Sequence, residues 1–380
     1  MKKAGKNIRV LLFLGIMFLL IVPFVQNKFE FVKLDPLFGD IKIPERSYLK
    51  FKDWFSGDYQ QHTEKYLNET FGFRNFFVRM NNQIAYDLFG KTSAKQVVIG
   101  KNNMMFEESY IKAYYGSDFI GKDSIMHRMQ KLKFIQDTLS KLNKSLIIIF
   151  APGKASFFPE FIPDSCKTTK NITNYDYHIK LAQEYGLNYL DFNRYFIDHK
   201  HTSKYPLYPK CGIHWSYYGA CLVADSIIHY IEGLRHINMP HLYWNDVEIA
   251  NPKEGDNDIG DGMNLLFGIN PGKLAYPKLK FQSDSGKTKP TVMVVSDSYY
   301  WVMYGFGINR TFGNNHFYFY GKKIYPESFK STLEIKQVNF AEQIAQHEVI
   351  IIMATEPTLR DMGWGFIEKL YDLYKKKPLH

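Results

Sequence analysis

Ser298 stands where an apolar run gives way to a small polar turn: Val294, Val295, Ser296, Asp297, Ser298, then Tyr299, Tyr300 and Trp301. A hydroxyl at such a strand-to-helix junction is held in a fixed orientation, and the backbone N–H groups around it can stabilise an oxyanion. A serine there also suits a plain helix cap, so a nucleophile needs a base to be distinguished from it. The best base in the chain is His214, in Gly212, Ile213, His214, Trp215, Ser216, Tyr217, a turn just before an apolar helix. Trp215 would pack beside the imidazole and limit its solvation, although a satisfied structural histidine fits the same pattern. Paired, Ser298 and His214 predict nucleophilic acyl transfer, with His214 taking the serine proton and later protonating the leaving group or activating the acceptor hydroxyl.

The elements that would carry these residues alternate between helix and strand. Leu146 to Phe150 is a continuous apolar run ending in Ala151, Pro152, Gly153 and Lys154, as a central parallel strand does. The pattern recurs: a helix ending at Ile179 to Tyr185 feeds Asn188 to Leu190 and Asp191, Tyr217 to Ile231 reads as a helix, Val292 to Val295 runs into Ser296, and Glu348 to Met353 precedes Thr355 and Glu356. This predicts an α/β fold, a three-layer α/β/α sandwich on a mostly parallel sheet. Reactive groups in such sheets gather beyond the carboxyl ends of the strands, which nominates Lys154, Asp191, Ser296 to Ser298 and Glu356. Upstream, Asp123 to Asn143 has the stripe of a long helix, and Val97 to Phe106 reads as a small hairpin. Phe73 to Phe89 has helical spacing, with a second helix before it and Gly72 at the junction.

Of the net charge of +10, Lys2, Lys3, Lys6 and Arg9 supply four units before any acidic residue, and an uncharged run from Val10 to Val25 follows them. That order predicts one N-terminal membrane anchor with the main body outside the cytoplasm, on the periplasmic side; a cleaved signal peptide is the alternative. The segments expected are residues 1–28 as basic lead and anchor, 29–50 as linker, 51–95 as helical lead-in and 96–380 as the main domain. Three cysteines, Cys166, Cys211 and Cys221, support no cysteine-rich metal site and at most one disulfide. No cofactor is expected and no metal: the acidic stretch from Asn251 to Asn264 lacks the ligand spacing of a calcium loop and reads as a surface loop. The remaining basic excess is too diffuse for nucleic acid. Aromatic residues make up 17% of the chain, and those beside the two candidate residues, Trp215, Tyr299, Tyr300 and Trp301, could form a wall against a sugar.

In order, these blocks resemble the alginate O-acetylation proteins (AlgX/AlgJ type) and the permuted SGNH hydrolase-like domains. The resemblance spans roughly Lys50 to Asp372: Phe73-Arg74 in the lead-in helices, Gly100 to Phe106, Ala151 to Lys154, Asp191, Gly212 to Trp215 and Ser296 to Tyr299. It implies an SGNH hydrolase-like fold and a polysaccharide O-acetyltransferase or related acyl esterase acting outside the cytoplasm. A multipass membrane O-acyltransferase would be a partner. The family's Asp-x-His-Trp acid falls on Gly212, which has no side chain to orient an imidazole. The acid would then come from Asp191, Asp297 or Glu356, or a dyad would work with a backbone carbonyl. A non-catalytic glycan-binding or assembly partner is the alternative reading. For the oxyanion, the backbone N–H of Ser298 or Tyr299 and the side chain of Asn309 are the candidates, with Trp215, Trp301 and Lys154 as further substrate contacts.

Overall fold

From Leu146 to Ala151 every side chain is buried, and successive residues belong to cores on opposite faces of one sheet. Only a strand covered on both sides needs such a run. The computed structural model, which describes residues 2–39, 42–325 and 333–375, places this strand in a sheet of seven. In chain order the strands are β1 (Ser145–Ala151), β2 (Tyr189–Asp191), β3 (Thr291–Ser296), β4 (Asn314–Phe319), β5 (Lys323–Tyr325), β6 (Leu333–Glu334) and β7 (Val349–Thr355). Their spatial order is β6-β5-β4-β3-β7-β1-β2. The five strands from β4 to β2 are mutually parallel, and β5 and β6 add an antiparallel edge.

Ile147, Ile149, Val292, Val294, Ile351 and Met353 face one core with Val223, Ala224, Ile227 and Ile231 of the helix Tyr217–Arg235. Ile148, Phe150, Met293, Val295, Ile350 and Ile352 face the other, against Met129, Leu132 and Ile135 of Lys122–Lys141 and Phe366, Ile367 and Leu370 of Phe366–Lys375. The expected three-layer sandwich is therefore present. Strand β4 and the edge beyond it went unpredicted, because β4 opens with Asn314, Asn315 and His316. Asn315 is nonetheless buried: its amide donates to the Val292 carbonyl and it accepts from the Tyr300 hydroxyl. The stretch read as a surface loop holds a tight turn, Glu254–Asn257, and a short helix, Asp258–Gly262.

By internal contacts the chain divides into two units, one of residues up to 95 with 260–270 and one of 96–259 with 271 onward. The first contains α1 (Lys2–Phe29), α2 (Phe51–Ser56), α3 (Asp58–Thr70) and α4 (Arg74–Phe89). Within α1, Asn7–Phe29 is an apolar stretch of 23 residues. At 1.5 Å per residue that is about 35 Å, enough for a bilayer core of about 30 Å. By length and position it suits either an anchor or a signal sequence. None of the three cysteines forms a disulfide.

The ends of β3 and β7 are clamped by Asp297. Its buried carboxylate accepts from the Thr355 N–H (3.0 Å), the Thr355 hydroxyl (2.9 Å), the Thr358 hydroxyl (2.7 Å) and the Tyr299 N–H (3.1 Å). Removing a buried acceptor leaves several donors unsatisfied at once. Asp297→Ala is expected to lower unfolding free energy by about 2–4 kcal/mol, read from the denaturant midpoint at unchanged slope.

Candidate active site

Ser298 lies past the end of β3, one residue beyond that clamp and just ahead of the short helix Tyr300–Phe306. The turn leaves Ser298 half-buried while both flanking residues are buried. His214 Nε2 stands 2.9 Å from Ser298 Oγ, across 84 residues of chain. A neutral imidazole accepts the serine proton at that atom and carries its own proton on Nδ1. At 3.3 Å from Nδ1 is Oδ2 of Asp258.

Asp258 supplies the carboxylate that Gly212 does not. Its other oxygen accepts from the backbone N–H of Ile213 (2.9 Å) and of Ile259 (2.8 Å), so the carboxylate is tied to the same turn as the histidine it faces. Gly212 itself has a steric reason: a Cβ built on it would lie 2.6 Å from the Asp256 carbonyl oxygen. The segment that delivers Asp258 thus occupies the space a side chain at 212 would need. Asp256 is fixed there by the Tyr276 hydroxyl (2.8 Å), and burial raises its carboxyl pKa to about 6.

The histidine turn is held from beneath. Lys154 is buried, and its ammonium donates to the carbonyls of Gly212 (2.6 Å) and Lys210 (3.0 Å); burial draws its pKa down to about 7. The Tyr299 hydroxyl donates to the Ile213 carbonyl (2.7 Å) and meets the Tyr208 hydroxyl (2.9 Å), which donates to Pro152 O (2.7 Å). Trp215 is fully buried and packs edge-on to Tyr299 at 5.0 Å, so it shapes the wall behind His214 and has no face toward solvent.

The three carboxylates nominated from strand ends have other partners. Asp191 accepts the Tyr175 hydroxyl (2.7 Å) and caps the helix Phe192–His199. Glu356 is buried against Ser156 Oγ and Asn193 Nδ2, each at 2.7 Å, and burial raises its pKa to about 7. Asp297 holds the strand clamp described above. None of the three is the carboxylate at His214 Nδ1.

Among the proposed oxyanion donors, the Tyr299 N–H is occupied by Asp297 Oδ1. Asn309 lies in the turn Ile308–Thr311 after the helix that follows Ser298, and its carbonyl accepts from Phe312 N–H. A residue that sequence reasoning missed stands closer. Tyr320, immediately after β4, sets its phenol beside Ser298: burial raises the phenol's pKa, and the neighbouring side chain and backbone of Ser298 partly offset that. Its own N–H donates to Ser296 O (2.9 Å), and it adopts a left-handed backbone (φ 48°) at the turn that ends β4. Beside the dyad a cleft of roughly 200 Å³ is lined by His214, Tyr217, Lys253, Asp256, Trp301 and Phe306. Trp301 is half-buried there, edge-on to Phe317 and Tyr325.

Residues 97–256 match the family model described as SGNH hydrolase-like domain, acetyltransferase AlgX. The matched stretch includes His214 and stops short of Asp258 and Ser298. The probable alginate O-acetylase AlgJ of Azotobacter vinelandii is 21% identical over 194 residues, 51% of this chain and 48% of that protein, so the chain spans about half the length of that curated relative. Among solved structures, the O-acetyltransferase domain of Pseudomonas putida AlgJ aligns with a TM-score of 0.47 at 16% identity, covering 73% of this chain and 99% of that one. Pseudomonas aeruginosa AlgX aligns with a TM-score of 0.45 at 13% identity, covering 72% and 66%. The ordered sequence blocks and the sandwich fold agree with the matched model, which assigns residues 97–256 to the AlgX-type SGNH hydrolase-like domain.

Proposed function

We propose that the protein is a serine-dependent O-acyltransferase, most simply an O-acetyltransferase, acting on an extracytoplasmic polysaccharide. The observation that carries this reading is the line of contacts from Ser298 Oγ through His214 to Asp258. Ser298 Oγ attacks the carbonyl carbon of an acyl donor as its proton passes to His214 Nε2, and Asp258 stabilises the imidazolium through Nδ1–H. The oxyanion forms in the Ser298 turn, with the Ser298 N–H as its backbone donor and the Tyr320 phenol beside it. Collapse breaks the bond to the donor's leaving oxygen, which takes the proton from His214 and leaves an acyl ester on Ser298. A sugar hydroxyl then gives its proton to His214 and attacks that ester, and Ser298 recovers its proton as it departs. Water in place of the sugar would make the same site an esterase.

Trp301 and Lys253 on the cleft suit a sugar ring and an anionic group respectively. The binder reading rested on the missing acid at Gly212 and on the aromatic surplus; a carboxylate from Asp258 facing His214 supports catalysis against the first of these. The anchored, periplasm-facing placement belongs to this proposal, as does a membrane O-acyltransferase that hands on the acyl group.

With an activated acetyl ester as donor, Ser298→Ala and His214→Ala are expected to lower kcat by about 10³-fold or more, and Asp258→Asn by about 10²–10⁴-fold at little-changed KM. Wild-type turnover in Ser298→Ala would overturn the assignment. Asp191→Asn is expected to stay near wild type in kcat, since Asp191 does not face the imidazole. Gly212→Ala is expected to act through the 256–258 segment, lowering kcat at least about tenfold, with a loss of about 1–3 kcal/mol in stability by denaturation. An unchanged kcat in Gly212→Ala would contradict the steric account of that glycine.

A further inference from the structure

Helix α4 is amphipathic in the reverse sense. Its buried residues are polar: the Asn82 amide donates to the carbonyls of Met263 (3.0 Å) and Asn264 (3.3 Å) and accepts from Ser93, while Gln83 accepts the Phe267 N–H (3.1 Å). Most of its exposed residues are apolar: Phe77, Ile84 and Leu88 recur on one face, with Phe76 and Phe89 beside them, and Asn81 and Asp87 are the exposed polar residues of the helix. On α2, Phe51, Trp54 and Phe55 form a second stripe at i, i+3 and i+4, exposed by 83%, 48% and 73%. Helices of a water-soluble surface place these residue types the other way round, and an apolar area of this extent marks an interaction face.

The α3–α4 turn shows what covers it. A Cβ on Gly72 in that turn would lie 2.7 Å from the Asn27 backbone nitrogen and 2.8 Å from Gln26 Cβ, so only glycine lets the turn rest on the last two turns of α1. The Asn27 amide donates to the Thr70 carbonyl at the same junction. The turn is thus pinned at the far end of the apolar stretch Asn7–Phe29, the depth at which a spanning helix leaves the hydrocarbon. Phe and Trp are favoured at that boundary, and the exposed Lys50 and Lys52 flanking Phe51 suit anionic headgroups.

We infer that α2 and α4 lie in the outer face of the bilayer that α1 enters, with Phe51, Trp54, Phe55, Phe77, Ile84 and Leu88 inserted among the lipids. This rests on the reading of α1 as a retained anchor. It makes the first unit a monotopic platform for the enzyme as well as its tether.

Trp54 allows a direct test, since Trp215, Trp244, Trp301 and Trp364 all lie in the other unit and α1 has no tryptophan. The full chain is reconstituted into phosphatidylethanolamine–phosphatidylglycerol vesicles with and without acyl-brominated lipid. The wild type is expected to lose fluorescence on brominated lipid, and Trp54→Phe to lose little or none. Leu88→Trp placed in the Trp54→Phe background is expected to restore quenching. Protein that floats with the vesicles but shows equal quenching with and without Trp54, and none from Leu88→Trp, would overturn the inference while leaving the anchor intact; a protein partner on this face would give that result. Protein that fails to float with the vesicles would refute the anchor reading itself, and the inference with it.

Discussion

Three carbonyl oxygens of one turn, those of Lys210, Gly212 and Ile213, are each held by a side chain from beyond the end of a sheet strand, and that restraint fixes the place of His214. Lys154, just past β1, holds the first two, and Tyr299, just past β3, holds the third. Asp258 closes the arrangement by accepting the Ile213 N–H while facing the imidazole. Buried polar contacts of this kind stabilise only when every member is paired, so the turn has little freedom to drift. The 2.9 Å contact with Ser298 follows from two strand ends of one sheet gripping two adjacent segments.

The proposed nucleophile and base were legible because each lies within a short block whose local pattern, strand then polar turn or turn then apolar helix, fixes its place in an α/β fold. The acid was not. Gly212 announces only that the carboxylate is missing from its usual position, while its replacement comes from 46 residues downstream, in a Gly- and Asp-rich stretch whose pattern is that of any surface loop. The strand-end rule led instead to Asp191, Asp297 and Glu356. Asp297 and Glu356 do follow strands and Asp191 ends one, but the rule carries no information about which way a carboxylate points, and each is held by hydroxyl, amide or backbone N–H donors. Tyr320 was equally hidden, since it follows a strand whose polar opening residues disguise it.

Rings near the site divide by burial. Trp215, Tyr299 and Tyr300 are buried supports, and their work is to fix the histidine turn and the helix after the serine. Trp301 is the ring of that group that reaches the cleft. The aromatic surplus also has a second outlet at the other end of the chain, on α2 and α4, where the residues face outward. On the proposed function and the inference drawn from α2 and α4, one composition serves three roles: packing, a sugar-facing wall and a membrane-facing surface.

The most direct measurement is the mass of the protein and its peptides after brief exposure to an activated acetyl ester and rapid acid quench. The account predicts one acetyl group on the peptide containing Ser298, formed more slowly in Asp258→Asn and absent in Ser298→Ala. An unmodified protein under conditions where the ester is turned over, or an acetyl group on another residue that chases into product, would contradict it.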